Sequence, residues 1–286
     1  MKSKKLKTNK PKIIIMSGYG LNCEEETKYA FEWAGGTADI VHINDLIKNP
    51  KMLSQYQVLA FPGGFSYGDD TGSGKAYANK FKNHLAKELK EFLSHDTLTI
   101  GICNGFQIMT NLGILPGALA QNKNGKYLDR WVDLKVKGRS PWLAGIKKLS
   151  VPIAHGEGLY VIFEKEYQKM SARGGSASGG KNSSQIAFIY EKGKICKFQN
   201  LEKNPNGSNH DIAGVLAYNG RVLGLMPHPE RAMFFHQSPL WQMQKNTKKK
   251  EGAPSFAKAM EGKGLQIFKN AVNYFSARGG SAFGGR

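Results

Sequence analysis

Cys103 has the sequence surroundings of a catalytic nucleophile. It lies in the segment GICNG, directly after an apolar run and directly before the helix-like run FQIMTNLG. A tight strand-to-helix turn strains the backbone of a nucleophile and brings the chain so close that only glycine fits, here at Gly101 and Gly105. The start of a helix also stabilises a thiolate. The alternative for a lone cysteine is a buried structural thiol.

A cysteine that transfers acyl groups also needs a base and a group that orients this base. The segment MPHPER, residues 226–231, offers His228 for the first role and Glu230 for the second. Both side chains project the same way from an extended segment, and the flanking prolines favour an extended backbone. A histidine two residues before a glutamate also occurs by chance, so the pair indicates a catalytic site only in combination with the turn at Cys103.

Acyl transfer further needs hydrogen-bond donors for an oxyanion. The PGG sequence at 62–64 closes an apolar run and predicts a bend whose backbone can supply one donor, and the amide of Asn104, directly after the nucleophile, can supply another. Taken alone, a Pro-Gly-Gly sequence is an ordinary turn.

The elements that must position these residues alternate between strands and helices. Strands are predicted at 12–18, 38–43, 57–64 and 98–105. A first helix follows residue 23 and ends at Gly35 and Gly36, with Tyr29, Ala30, Trp33 and Ala34 on its apolar face, and a second covers 78–94. The apolar stripe of this second helix consists of Phe81, Leu85, Leu89, Phe92 and Leu93.

Beyond residue 130 the pattern changes to shorter strands, before a final helix near 256–275. The order predicts the α/β class, with a mixed, mostly parallel central sheet that carries helices on both faces. We expect one compact domain.

Composition excludes several classes of protein. The chain has 286 residues, 40% of them hydrophobic, which is enough to form a core. No apolar run approaches the roughly 18 residues of a membrane span, so we expect neither a signal peptide nor a transmembrane helix. The three cysteines are too few and too scattered for a disulfide framework or a zinc site, which favours a reducing cytoplasm.

The basic balance does not predict a nucleic-acid partner. The formal net charge is +19, and ten lysines of this excess lie in residues 1–12 and 245–250. Neither segment contains an aromatic residue on which a base could stack. Two near copies of one sequence, SARGGSASGGK and SARGGSAFGGR, add glycine- and serine-rich material without an evident role.

Two segments resemble phosphate-binding loops, and both fail the pattern G-x-x-x-x-G-K-[ST]. In DDTGSGKAYA the first glycine is replaced by Asp69, and Ala76 stands where a hydroxyl is needed. In GSASGGKN the hydroxyl is replaced by Asn182. We therefore expect no ATP site in this chain.

The motifs together resemble a known family. They are PGGFSYGDD, GICNGFQ, LPGAL, AHGEGLY, NPNGS, DIAGV and GLMPHPER, with GLNCEEE before them. These motifs, in this order along the chain, resemble those of the class I glutamine amidotransferases. Within that family they are most similar to the glutaminase subunits of phosphoribosylformylglycinamidine synthase. The similarity runs from about residue 12 to residue 275.

The resemblance implies a flavodoxin-like amidotransferase domain at 12–275. The sequence departs from the family pattern in three places, which are a basic flexible tail at 1–11, a glycine- and serine-rich insert at 171–182 and a glycine- and serine-rich tail at 276–286. The resemblance implies Cys103 as nucleophile, His228 as base and Glu230 as its partner. It places Gly63, Gly64 and Asn104 near the oxyanion, and suggests that Gln107, His155 and Glu157 shape the glutamine site.

The resemblance also implies a division of labour. This chain would release ammonia from glutamine without a metal or other cofactor. ATP and magnesium would bind to a formylglycinamidine ribonucleotide synthetase subunit, and a small accessory subunit remains open. Three alternatives stay open: an amidotransferase of another pathway, a stand-alone thiol hydrolase or peptidase, and a non-catalytic interaction subunit.

Overall fold

In the computed structural model, which describes residues 10–69, 72–171, 184–243 and 261–276, the strands overlap the predicted runs except for the short strand at Ala118–Ala120, which was not predicted. They are β1 (Lys12–Ser17), β2 (Thr37–His42), β3 (Val58–Phe61), β4 (Leu98–Ile102), β5 (Ala118–Ala120), β6 (Leu128–Val136), β7 (Lys148–His155), β8 (Leu159–Val161), β9 (Ile186–Glu191), β10 (Ile212–Ala217) and β11 (Val222–Leu225). The predicted N-terminal tail up to Asn9, the insert after Ser171, the lysines at 245–250 and the C-terminal tail after Ser276 lie outside the described residues.

The helices follow amphipathic segments. They are α1 (Glu24–Trp33), α2 (Ile43–Lys48), α3 (Lys75–Ser94), α4 (Asn104–Asn111), α5 (Glu164–Ser171), α6 (Lys194–Gln199) and α7 (Leu265–Ser276). The predicted apolar stripe of α3 is buried along its whole length. Within the described ranges, no helix is long and apolar enough to cross a membrane.

The apolar face of α1 differs from the prediction. Ala30 is buried and Ala34 is partly buried, as predicted. Tyr29 and Trp33 are instead 46% and 51% exposed, and Thr27 and Phe31 are buried. Phe31 packs edge-on against Phe268 of α7, with the ring centroids 5.0 Å apart. The buried stripe is therefore rotated toward Phe31, because α7 covers that side of the helix.

The strands form one mixed nine-stranded sheet in the order β2-β1-β3-β4-β11-β10-β9-β6-β7. The first five of these strands run parallel, and each later strand runs antiparallel to its neighbour. Strands β5 and β8 form a separate antiparallel pair. The prediction of a mixed, mostly parallel α/β sheet is confirmed.

The parallel half is covered on both faces. Every residue of β3 and β4 is buried, as expected for parallel strands with helices on both sides. The chain moves from β1 to β2 in one direction along the sheet and from β3 to β4 in the other. Right-handed crossovers therefore place α1 and α3 on opposite faces. The carboxyl ends of β1, β3, β4 and β11 share one edge, where open α/β sheets form their sites.

Candidate active site

Cys103 occupies a strained turn between β4 and α4. Its backbone has φ 50° and ψ −107°, outside the conformations that most residues adopt. A Cβ atom on Gly105 would lie 1.9 Å from the carbonyl oxygen of Phe61, and one on Gly101 would lie 2.4 Å from Met109 Sδ. The prediction that only glycine fits at both positions is therefore confirmed.

The thiol of Cys103 lies at the N-terminus of α4, with Sγ 3.6 Å from the carbonyl oxygen of Ala154 in β7. The residue is only 4% exposed. The first amides of a helix have no partner within the helix and form its positive end. A negative charge on this sulfur would therefore be stabilised by the backbone of α4.

His228 and Glu230 follow β11, the neighbour of β4 in the sheet. His228 Nδ1 lies 2.5 Å from Glu230 Oε1, and both side chains are buried. The prediction that the segment stays extended is wrong beyond His228, because Pro229–Arg231 form a 3-10 turn. Proline suits the first position of such a turn, and the turn brings the carboxylate back to the ring.

The hydrogen bond to Glu230 fixes the imidazole of His228. A carboxylate only accepts, so Nδ1 donates, and Nε2 has no hydrogen-bond partner among the described residues. Burial by itself lowers the pKa of His228, but the Glu230 carboxylate and the nearby sulfur of Cys103 outweigh it and raise this pKa well above its ordinary value. The arrangement can therefore hold a proton on the imidazole of His228.

The PGG bend follows β3 and is held by the segment before α1. The amides of Asn22 and Cys23 donate to the Gly63 carbonyl oxygen at 3.2 and 3.1 Å. Leu21 and Gly64 form an antiparallel bridge, flanked by the bonds from Asn22 to Gly63 and from Phe65 to Gly20. In such a pair the Gly64 amide points away from Leu21.

Three further candidate residues are tied to one another. Asn104 Nδ2 donates to Gln107 Oε1 at 2.7 Å, and Gln107 Nε2 donates to the Glu157 carbonyl oxygen at 2.6 Å. The Glu157 carboxylate accepts from the amide of Ser73, and Asn104 Oδ1 accepts from the amide of Ser66. These side chains join the loops after β3 and β7 to the start of α4.

His155 lies at the end of β7, directly after the carbonyl that contacts Cys103. Its Nδ1 is 3.1 Å from Asn122 Oδ1, which also accepts from the amide of Gly158. Because this oxygen only accepts, Nδ1 carries the proton and Nε2 is unprotonated. Burial, and then the charge of His228, lower the pKa of His155 to about 3. The site thus holds two buried histidines in opposite protonation states.

His155 makes the stability of the protein dependent on pH. Its pKa is about 3 in the folded chain against 6.5 in the unfolded one, so only the unfolded chain takes up a proton between these values. We expect the free energy of unfolding to fall from pH 7 to pH 5 and the variant His155→Gln to show a flatter decline. The raised pKa of His228 affects stability at higher pH. The stabilisation that it contributes is complete below pH 6.5, and it is lost as the pH rises through the pKa of His228 in the folded chain.

Urea unfolding at pH 7, 6 and 5 measures this difference. The matched control is His84→Gln, which removes a histidine from an exposed position in α3. An equally steep decline in parent and His155→Gln would contradict the assignment of His155 as a neutral buried group.

Several residues of the site were not predicted from the sequence. Cys23 and Arg231 lie beside the His228–Glu230 pair, and Asn122 holds His155. Tyr127 is 52% exposed, and partial burial, followed by the charge of Cys103, raises the pKa of its hydroxyl. Cys23 and Arg231 were inside recognised motifs, and the signal for Cys23 was its position after β1, at the same edge as the turn of Cys103.

Comparison with known proteins agrees with this geometry. The model of the CobB/CobQ-like glutamine amidotransferase domain matches residues 10–275. The chain is 46% identical to phosphoribosylformylglycinamidine synthase subunit PurQ of Methanococcus maripaludis strain C7, over 93% of this chain and 98% of the relative. It is 37% identical to the subunit of the same name from Dehalococcoides mccartyi, over the same shares.

Among solved structures, the chain is similar to one in the structure of PurLQS from Thermotoga maritima. The TM-score is 0.66 and the identity 31%, over 93% of this chain and 99% of the other.

Proposed function

The chain belongs to the CobB/CobQ-like glutamine amidotransferase family, and on this premise we propose that it is the glutaminase subunit of phosphoribosylformylglycinamidine synthase. The observation that carries the proposal is the meeting of Cys103 with the His228–Glu230 pair at one edge of the sheet. The PurQ relatives support the choice of pathway, because they match along almost the whole chain.

The first half of the reaction forms a thioester. The thiolate of Cys103 attacks the side-chain amide carbon of glutamine, and the carbonyl oxygen becomes an oxyanion. His228, which holds the thiol proton on Nε2, gives it to the nitrogen as the C–N bond breaks and ammonia leaves. A γ-glutamyl thioester remains on Cys103.

The second half restores the enzyme. His228 accepts a proton from water, the resulting hydroxide attacks the thioester carbon, and the C–S bond breaks. Glutamate leaves and the sulfur returns to the thiolate. Glu230 stabilises the imidazolium in both halves and keeps Nδ1 as the donor.

The backbone supplies the oxyanion site in this proposal. The amides of Gly64 and Asn104 make no hydrogen bond within the described residues, so both are available as donors. Position 63 requires glycine, because a Cβ atom there would lie 2.8 Å from His228 Cε1. Gln107, His155 and Glu157 shape the glutamine pocket through the loops that they join.

The remaining parts of the synthase lie outside this chain in the proposal. The chain needs no metal or other cofactor for glutamine hydrolysis. ATP and magnesium act on the synthetase subunit, which uses the ammonia to convert formylglycinamide ribonucleotide to formylglycinamidine ribonucleotide. We place the complex in the cytoplasm, where purine nucleotides are made.

Reconstitution tests the proposal. Glutamate and formylglycinamidine ribonucleotide are measured with the purified chain alone, with the synthetase subunit alone, and with both plus ATP, magnesium and formylglycinamide ribonucleotide. We expect glutamine to support product formation only when both subunits are present, with one glutamate released for each product formed.

The other outcomes identify the competing functions. Glutamate release that the synthetase never stimulates would point to an amidotransferase of another pathway. Turnover of peptides or esters without a synthetase would point to a thiol hydrolase. Binding to the synthetase without any glutamate release would point to an interaction subunit.

A further inference from the structure

A second cysteine lies against the proposed catalytic pair. Cys23 caps the start of α1, is completely buried, and has no part in the reaction described above. One ligand atom from each of Cys23, His228 and Glu230 fits within a span of 4.8 Å. A Cβ atom on Gly63 would meet both His228 Cε1 and Cys23 Sγ, at 2.8 and 3.1 Å. The sulfur and the imidazole therefore pack against the same glycine.

Two neighbours fix the sulfur of Cys23. Arg231 Nη2 donates to Sγ at 2.9 Å, and the thiol can donate to Asn22 Oδ1 at 3.4 Å. The backbone is fixed as well, because the amide of Cys23 donates to Gly63 and its carbonyl accepts from the hydroxyl of Thr27 at 2.7 Å. The thiol therefore has one hydrogen-bond donor and one acceptor beside it, and its backbone is also hydrogen-bonded.

The carboxylate of Glu230 is bonded to His228 through one oxygen only. Glu230 Oε2 is buried without a hydrogen-bond partner among the described residues. Arg231 contacts both Glu230 and Cys23. Its Nε lies 3.9 Å from Glu230 Oε1, and its Nη2 donates to the sulfur of Cys23. The guanidinium therefore links the carboxylate to the sulfur that borders the imidazole.

We infer that Cys23, held by Arg231, is a positioning residue that keeps the imidazole of His228 on Glu230 and turned toward Cys103. The inference rests on the proposed function, because it assigns His228 the role of acid and base. The ionisable groups around this imidazole are Glu230 and Arg231 on its own turn, Cys103 after β4, Cys23 before α1, His155 on β7 and the nearby Tyr127.

The variant Cys23→Ala tests this role in the reconstituted complex. We expect kcat for glutamine hydrolysis to fall between about 10- and 100-fold, because a misplaced base is costly, while KM changes less than about twofold. Cys23 also contributes to the raised pKa of His228, so the pH profile of kcat moves to lower pH. Cys23→Ser keeps an acceptor for Arg231 and should recover part of the rate.

The control is Cys196→Ala, which removes another fully buried thiol. Should Cys23→Ala fail to fold, Arg231→Gln removes the same hydrogen bond from a side chain that is 37% exposed. An unchanged kcat and pH profile in the folded variant would overturn the inference. Because Cys103→Ala reports on the nucleophile separately, activity that survives in Cys103→Ala would instead overturn the proposed function.

Discussion

Replacing Cys103 with alanine is expected to abolish glutamine hydrolysis by the reconstituted complex. The loss should be on the order of 10⁴- to 10⁶-fold in kcat, because the variant lacks the sulfur that forms the thioester in the proposed reaction. The fold should persist, since the change removes one sulfur and the main chain of the turn is held by Gly101 and Gly105. Glutamate release under saturating glutamine measures the effect.

Cys196→Ala is a close control for this variant. Both cysteines are buried, and both sulfurs lie 3.6 Å from a backbone carbonyl oxygen, that of Ala154 for Cys103 and that of Glu191 for Cys196. The control should keep the parent rate. Added ammonia should still support product formation in the presence of Cys103→Ala, which shows that the synthetase subunit is active and that only the ammonia supply is lost. Glutamate release at the parent rate by Cys103→Ala would refute the assigned nucleophile.

Replacing His228 with glutamine is expected to have an effect of similar size, on the order of 10⁴-fold or more. Glutamine can occupy the space and bond to Glu230, but it can neither hold the thiol proton nor deliver it to the leaving ammonia. The variant also leaves the buried carboxylate of Glu230 without its cationic partner. Single-turnover kinetics should show that thioester formation itself is slowed.

The control for this variant is His210→Gln, which alters another histidine beside a glutamate. His210 Nε2 lies 3.1 Å from Glu164 Oε2, and both side chains of this pair are partly exposed, unlike those of His228 and Glu230. We expect this control to keep its rate. Thioester formation at the parent rate in His228→Gln would show that another group moves the proton.

Local sequence determined much of this protein. The turn at Cys103 is encoded within five residues, because a strand, two glycines and a helix start leave little alternative. Much of the parallel half of the sheet was also predictable, since β1, β3 and β4 are apolar runs and α3 carries a clear apolar stripe. Motifs of this kind depend on neighbours along the chain, which the sequence shows directly.

Contacts between distant segments were decided by the tertiary structure. Strand β7 lies five positions from β4 in the sheet order, which would separate them by about 24 Å in a flat sheet. Yet the carbonyl of Ala154 in β7 lies 3.6 Å from the sulfur of Cys103. The antiparallel half must therefore curl back over the site, and no local pattern specifies this curvature.

The same distinction explains the residues that sequence analysis did not assign. Cys23 and Arg231 are 208 positions apart, and their hydrogen bond exists only because β1 and β11 end at one edge of the sheet. The neutral state of His155 likewise depends on burial and on the charge of His228. The sequence determined which groups could react, whereas the folded chain decided their neighbours and their charges, because burial and electrostatic interactions depend on distance in space.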